Sequence, residues 1–232
     1  NDNLLNGYRR AQLSWYTIDP LFFRNISITP DNIDIEIQSN HLQREILETE
    51  VFPNRELPQG TPNNIAVLDL SYYPKERGPY NYNPNIEADG TLQTPEDNWA
   101  GMQRRLTTTD FENANVEYIQ FWLMDPFNED SENQTGGDLY FNLGNDPTLF
   151  VDSTAWGLVP KRQSIINAFD NTDNSNKDQD IGFDGLSDAQ EAIYHKAYLD
   201  SIKNIVTPAI FSNIEADVSN DNFHYYRGTD YD

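Results

Sequence analysis

The chain has 232 residues and a formal net charge of -23, from 38 acidic and 15 basic side chains, which sets it against nucleic-acid phosphate and anionic lipid surfaces as partners. Its 12% aromatic content supplies apolar bulk for one large or two small domains. Cysteine is absent, which excludes disulfides and thiolate metal sites, and neither a leader-like opening nor an apolar run of about twenty residues marks a precursor or a helical membrane span.

Ala11, Leu13 and Trp15 alternate with polar neighbours and predict a strand that stops at Asp19-Pro20. Ser39 is placed to cap a helix carrying Leu42, Ile46 and Leu47 on one face, closed by Pro53. Ile65 to Tyr73 is rich in strand formers. Pro74 to Tyr80 is too rich in proline to continue a ladder and is expected to run over the surface. Tyr72, Tyr73, Tyr80 and Tyr82 cluster there as a candidate partner-binding surface, since tyrosine suits protein contacts and sugar stacking equally. The plainer alternative is local packing of the same rings against the domain.

Val116 to Met124 carries the strongest core signal. Ile119, Phe121 and Leu123 fall on one face and Tyr118, Trp122 and Met124 on the other, which predicts a central strand covered on both sides. Leu139, Phe141 and Leu143 alternate with polar positions as a half-buried neighbour, joined to it through a long loop with Gly136-Gly137. Asn167 to Asp180 has little to bury and reads as a solvated loop. Ser187 and Gln190 make a capping box for a helix with Tyr194, Ala197, Tyr198, Ile202 and Ile205 at helical spacing, ended by Pro208. Phe223, Tyr225 and Tyr226 add a final strand. The expected class is mainly β, a jelly-roll-like β-sandwich with two or so peripheral helices. Residues 1–60 are its lead-in strand and helix, 61–166 its core, and 167–232 its acidic loop, helix and last strand.

One segment fits a metal-loop template. With Asp180 as the first position of a twelve-residue calcium loop, Asp184 is the fifth, Gly185 the turn and Leu186 the carbonyl donor, while Asp188 is the ninth and Glu191 the bidentate closer. Gly182 removes the ligand at the third position and no regular helix precedes the loop, so the competing reading is an acidic turn that starts a helix. Catalytic patterns are sparser. His41, His195 and His224 are far apart, and no zinc-protease, nucleophile-elbow or phosphate-loop motif occurs. Glu117 and Asp125, at the two ends of the apolar stretch, are the remaining carboxylate pair for glycosidase-type chemistry. The chain is read as non-enzymatic.

Six blocks occur in order along most of the sequence: Trp15-Tyr16-Thr17-Ile18-Asp19-Pro20, Glu50-Val51-Phe52-Pro53-Asn54, Val67-Leu68-Asp69-Leu70 through Tyr73-Pro74-Lys75-Glu76-Arg77-Gly78-Pro79-Tyr80-Asn81, Phe121-Trp122-Leu123-Met124-Asp125-Pro126-Phe127, Gly136-Gly137-Asp138-Leu139-Tyr140-Phe141-Asn142-Leu143-Gly144, and Gln179-Asp180 through Asp188. Together they resemble the SprA/Sov family, the outer-membrane translocon of the type IX secretion system of Bacteroidetes, also known for gliding motility. The resemblance implies a very large β-barrel protein that exports folded cargo. This chain would be a segment of it outside the bilayer, at the cell outer membrane, with no lipid-facing strand series of its own. Implied partners are the remainder of the barrel, accessory subunits gating its lateral and periplasmic openings (PorV-like and plug proteins), and transiting cargo. The pair of expected strands also resembles the jelly roll of carbohydrate-binding modules, which implies the rival reading of an autonomous glycan-binding domain at the cell surface.

Overall fold

The alternation of Ala11, Leu13 and Trp15 folds as β1 (Ala11–Tyr16), which pairs with β2 (Asp69–Arg77) in a two-stranded antiparallel sheet. The structure is a computed structural model that describes residues 7–19, 34–42, 44–61, 63–102, 110–127, 136–141, 180–182 and 184–222. Among the described residues, short α-helices accompany the sheet: α1 (Ile35–Ser39), α2 (Glu48–Val51), α3 (Asp188–Tyr194), α4 (Lys196–Ile202) and α5 (Pro208–Ala216). The described residues are thus mixed in class, and they do not display a mainly β jelly roll. None of their helices is long and apolar enough to cross a membrane.

Two compact units divide the chain. The first holds the described residues of 7–13, 72–102 and 180–222, and the second those of 14–71 and 110–141.

In the first unit, the sheet end is closed by Gly78, whose N–H donates to the Arg10 carbonyl at 3.1 Å. A side chain at Gly78 would collide with the Ala11 backbone, so the approach demands glycine. The core gathers Ala11, Ile86, Leu92, Tyr198, Leu199, Ile202, Val206, Ile214 and Val218, with Ile202 and Val218 fully inaccessible. Four of these nine come from α4 and α5, and α3 and α5 begin where local chemistry satisfies their first N–H groups. Gln190 Oε1 accepts from the Ser187 N–H at 3.0 Å to complete the expected capping box of α3. Thr207 precedes Pro208, which opens α5 at a position where a missing N–H costs nothing. The single helix expected up to Pro208 is instead two, broken at His195, whose ring stacks on Tyr82 with centroids 4.0 Å apart.

Two further expectations are corrected. Ser39 ends α1 rather than capping a helix through Leu47, because the chain turns at His41-Leu42 before α2 begins. β2 runs through Pro74 instead of stopping before it; each strand of a two-stranded sheet is an edge, where proline is tolerated. The Pro74 carbonyl still finds a donor, the Asn98 side-chain amide at 2.7 Å.

The largest correction lies in the second unit. Val116 to Met124 forms no ladder and is exposed throughout, with Tyr118 at 77% and Trp122 at 74% of full accessibility. Leu139, Tyr140 and Phe141 are exposed likewise. Apolar residues on both faces express a demand for cover, and no described neighbour supplies the strand that would meet it. Two ring contacts are made there: Phe121 lies 5.0 Å from Phe141, and Trp122 meets Phe52 edge-on at 5.8 Å. The loop expected over Asn167 to Asp180, apart from Asp180, lies outside the described residues, as do Leu143 and the final strand with Phe223, Tyr225 and Tyr226.

Candidate functional site: a buried carboxylate cluster

The loop from Asp180 enters α3 through a turn at Gly185, whose N–H donates to the Ile181 carbonyl at 2.9 Å. This turn points Asp184 inward, where its Oδ1 accepts from the Leu186 N–H at 2.8 Å and its Oδ2 from the Ser219 hydroxyl at 3.3 Å. Ser219 has one hydroxyl proton, so the 2.8 Å contact between its Oγ and the Tyr82 hydroxyl makes Tyr82 the donor there. One turn into α3, Glu191 reaches the same place, and its Oε2 accepts from the Ser219 N–H at 2.9 Å. Asp221 completes the group, with its Oδ2 accepting from the Tyr80 hydroxyl at 2.5 Å.

Carboxylate oxygens of Asp184, Glu191 and Asp221 lie within 4.8 Å of one another. Asp184 and Glu191 are buried and Asp221 half-buried. The segment that carries Ser219 and Asp221 is fixed by Arg77, whose guanidinium donates to the carbonyls of Val218 at 2.5 Å and Asp217 at 3.1 Å. The Tyr80 N–H adds a bond to the Ser219 carbonyl at 2.6 Å. Gly182, with φ +49, lets the Asp221 carboxylate close over the loop, since any side chain there would collide with that carboxylate and with the Tyr80 hydroxyl.

Burial and mutual repulsion shape the electrostatics. Loss of hydration, reinforced by the Asp221 charge, pushes the Glu191 carboxyl up to about 8. Desolvation raises Asp221 to about 6 against the opposing pull of the Tyr80 hydroxyl. Asp184 and Asp188 are raised too, again mainly by desolvation. None of the three clustered carboxylates is ion-paired among the described residues. Such a group has two ways to relieve its charge: it can hold protons, or it can hold a hard divalent cation such as calcium, which binds carboxylate oxygens.

Of the expected calcium ligands, the structure brings Asp184 and Glu191 together and leaves Asp180 and Asp188 outside the trio. Leu186 buries its side chain and gives its N–H to Asp184. Asp221, Ser219 and Tyr80 come from distant parts of the chain, and no spacing rule in the sequence points to them.

The expected tyrosine surface splits. Tyr80 is only 5% accessible and serves the cluster, and Tyr82 is half-buried between Ser219 and His195, so these two are corrected from surface to interior. The reason is geometric: Tyr80 takes a left-handed φ of +57, which turns its ring inward after Gly78-Pro79. Tyr72 and Tyr73 remain exposed, with the Tyr72 hydroxyl on the Asn98 carbonyl at 2.7 Å. Burial, aided by the nearby Arg77 charge, holds the His195 imidazole down to about 4, so it packs as a neutral ring. Glu117 and Asp125 are both exposed. No protein-family model matches the chain, and no curated protein matches it either.

Proposed function

We propose that the chain is a non-enzymatic segment of an outer-membrane protein-export channel of the SprA/Sov type, contributing outside the bilayer to the wall or cover of the pore and docking partner proteins. The six blocks that occur in family order support the family. The observation that carries an assembly role is the exposed run from Val116 to Met124: Tyr118, Ile119, Phe121, Trp122 and Leu123 all stand in solvent, and contiguous apolar surface of this kind marks an interaction site. In this reading the jelly-roll-like sandwich is completed by strands of the larger barrel polypeptide that flank this run. PorV-like and plug subunits gate the openings nearby, and the acidic, hydrated exterior resists sticking of transiting cargo.

The loop from Asp180 to Glu191 enters the same reading as a structural element that ties α3 to the turn at Ser219, with calcium as the cation its carboxylates suit. The deciding experiment follows the chain through detergent extraction of native membranes. Co-migration with a barrel of far greater mass is the expected result, and release as a free small protein overturns the proposal. Exposed Trp122, Tyr118 and Tyr140 rings also suit sugar stacking, so retention of such a free protein on polysaccharide would establish the glycan-binding alternative.

A further inference from the structure

We propose that the run from Val116 to Asp125 is a strand-addition site, and that its occupant is an extended, basic polypeptide segment in which Lys or Arg alternates with apolar side chains. This rests on the reading of the run as an assembly surface, and adds the chemistry of what covers it.

The backbone points to a strand as the occupant. From Val116 to Asp125 the chain forms no helix, ladder, turn or bend, which leaves it open to take the extended form that a ladder needs. Its first residue is anchored by the Val116 N–H on the Phe111 carbonyl at 3.0 Å, and beyond it, among the described residues, the N–H and C=O groups of 117–124 make no backbone hydrogen bond. Successive side chains of an extended chain point to opposite faces. Phe121 and Trp122 each carry one ring contact, to Phe141 and Phe52 respectively, and being adjacent they fall on opposite faces of any strand formed there. The faces thus have anchors inside the unit while the edges keep open main-chain groups, the arrangement that an added strand satisfies, with backbone bonds for affinity and side-chain contacts for choice.

Charge selects the partner. Glu117 and Asp125 end the run, Asp110 and Glu112 precede it and Asp138 stands on the neighbouring arm, all exposed. No Lys or Arg occurs anywhere from 107 to 159. A segment bearing Lys or Arg is attracted to this stretch, whereas a second copy of a chain with net charge -23 is repelled.

The test uses the whole chain and a synthetic peptide of alternating Lys and Val, with binding read by tryptophan fluorescence and calorimetry at low and moderate salt. The Lys/Val peptide is expected to bind with salt-sensitive affinity, and its Glu/Val counterpart is expected not to. N-methylation of alternate peptide nitrogens keeps charge and side chains but removes donors, and is expected to weaken binding by about tenfold or more. Trp122→Ser with Tyr118→Ser should weaken it comparably while leaving the thermal midpoint unchanged. Equal binding of the N-methylated peptide would show mere charge adhesion and overturn the proposal. So would no binding of the Lys/Val peptide, or dimerisation of the chain that Trp122→Ser abolishes. A chain that co-migrates with a barrel yet ignores the peptide keeps its place in the assembly and loses the strand-addition site. One that binds the peptide but is released free keeps the site alone.

Discussion

The Tyr80 hydroxyl donates to Asp221 Oδ2 at 2.5 Å across 141 residues of sequence, and so joins the segment after β2 to the turn after α5. A hydroxyl donor favours the charged carboxylate. Tyr80→Phe removes it while keeping the ring. The substitution is expected to lower stability by about 1.5–3 kcal/mol, the range for hydrogen bonds to charged groups, and to raise the Asp221 pKa further. Urea midpoints and carboxyl-carbon NMR titration measure the two effects. An unchanged midpoint would mean the bond contributes nothing.

Stability in the presence of a chelator should depend on pH in a defined direction. Glu191 is raised from 4.5 to about 8 and Asp221 from 3.8 to about 6, so in these intervals the folded chain binds more protons than the unfolded one and stability falls as pH rises. His195 is lowered from 6.5 to about 4, binds fewer protons when folded, and opposes this trend below pH 6.5. Between about pH 6.5 and 8 the Glu191 effect stands unopposed by His195. The thermal midpoint is expected to drop by several degrees over that interval, and Glu191→Gln is expected to abolish the drop.

Calcium is expected to compete with those protons. Added at millimolar concentration near pH 8, it should raise the thermal midpoint and flatten the pH dependence, because a ligand that binds only the folded state stabilises it by mass action. Asp221→Asn tests the third carboxylate and should remove the response. If the midpoint of the parent chain does not move, calcium drops out and the cluster is held by protons alone.

Core and ribbon should respond oppositely to truncation. Ile202 is fully inaccessible among Leu199, Val206 and Val218, and Ile202→Ala should cost about 2–5 kcal/mol through lost burial and a residual cavity. Trp122→Ala, at an exposed position, should stay within about 0.5 kcal/mol in the isolated chain. Chemical denaturation of both variants checks the contrast, and a large loss from Trp122→Ala would restore the buried strand expected there.

Local signals in the sequence were readable where the physics is local. The Ser187/Gln190 box and the alternation from Ala11 each depend on neighbours within a turn or a pleat, and each appears at its place, whereas Pro208, expected to end a helix, opens α5 instead. The acidic loop was half legible. Asp184 and Glu191 share a short loop and a helix start, so spacing could pair them. Asp221, Ser219 and Tyr80 meet them only through tertiary packing, which no periodicity encodes. Pro74 and Trp122 misled for a related reason: composition tells what a residue tolerates or requires, while the presence of a neighbouring strand is decided elsewhere in the fold.

Ser219 offers its N–H to Glu191, its hydroxyl to Asp184 and its carbonyl to Tyr80. During translation these three groups emerge from the ribosome before Ser219 does. At roughly 5–20 residues per second, Tyr80 waits on the order of ten seconds for Asp221 to be made. Through most of that delay the nascent first unit carries a tyrosine-rich arm with nothing to close it, and Asp184 and Glu191 join it only near the end. Chaperone capture in the cell should therefore concentrate on this arm.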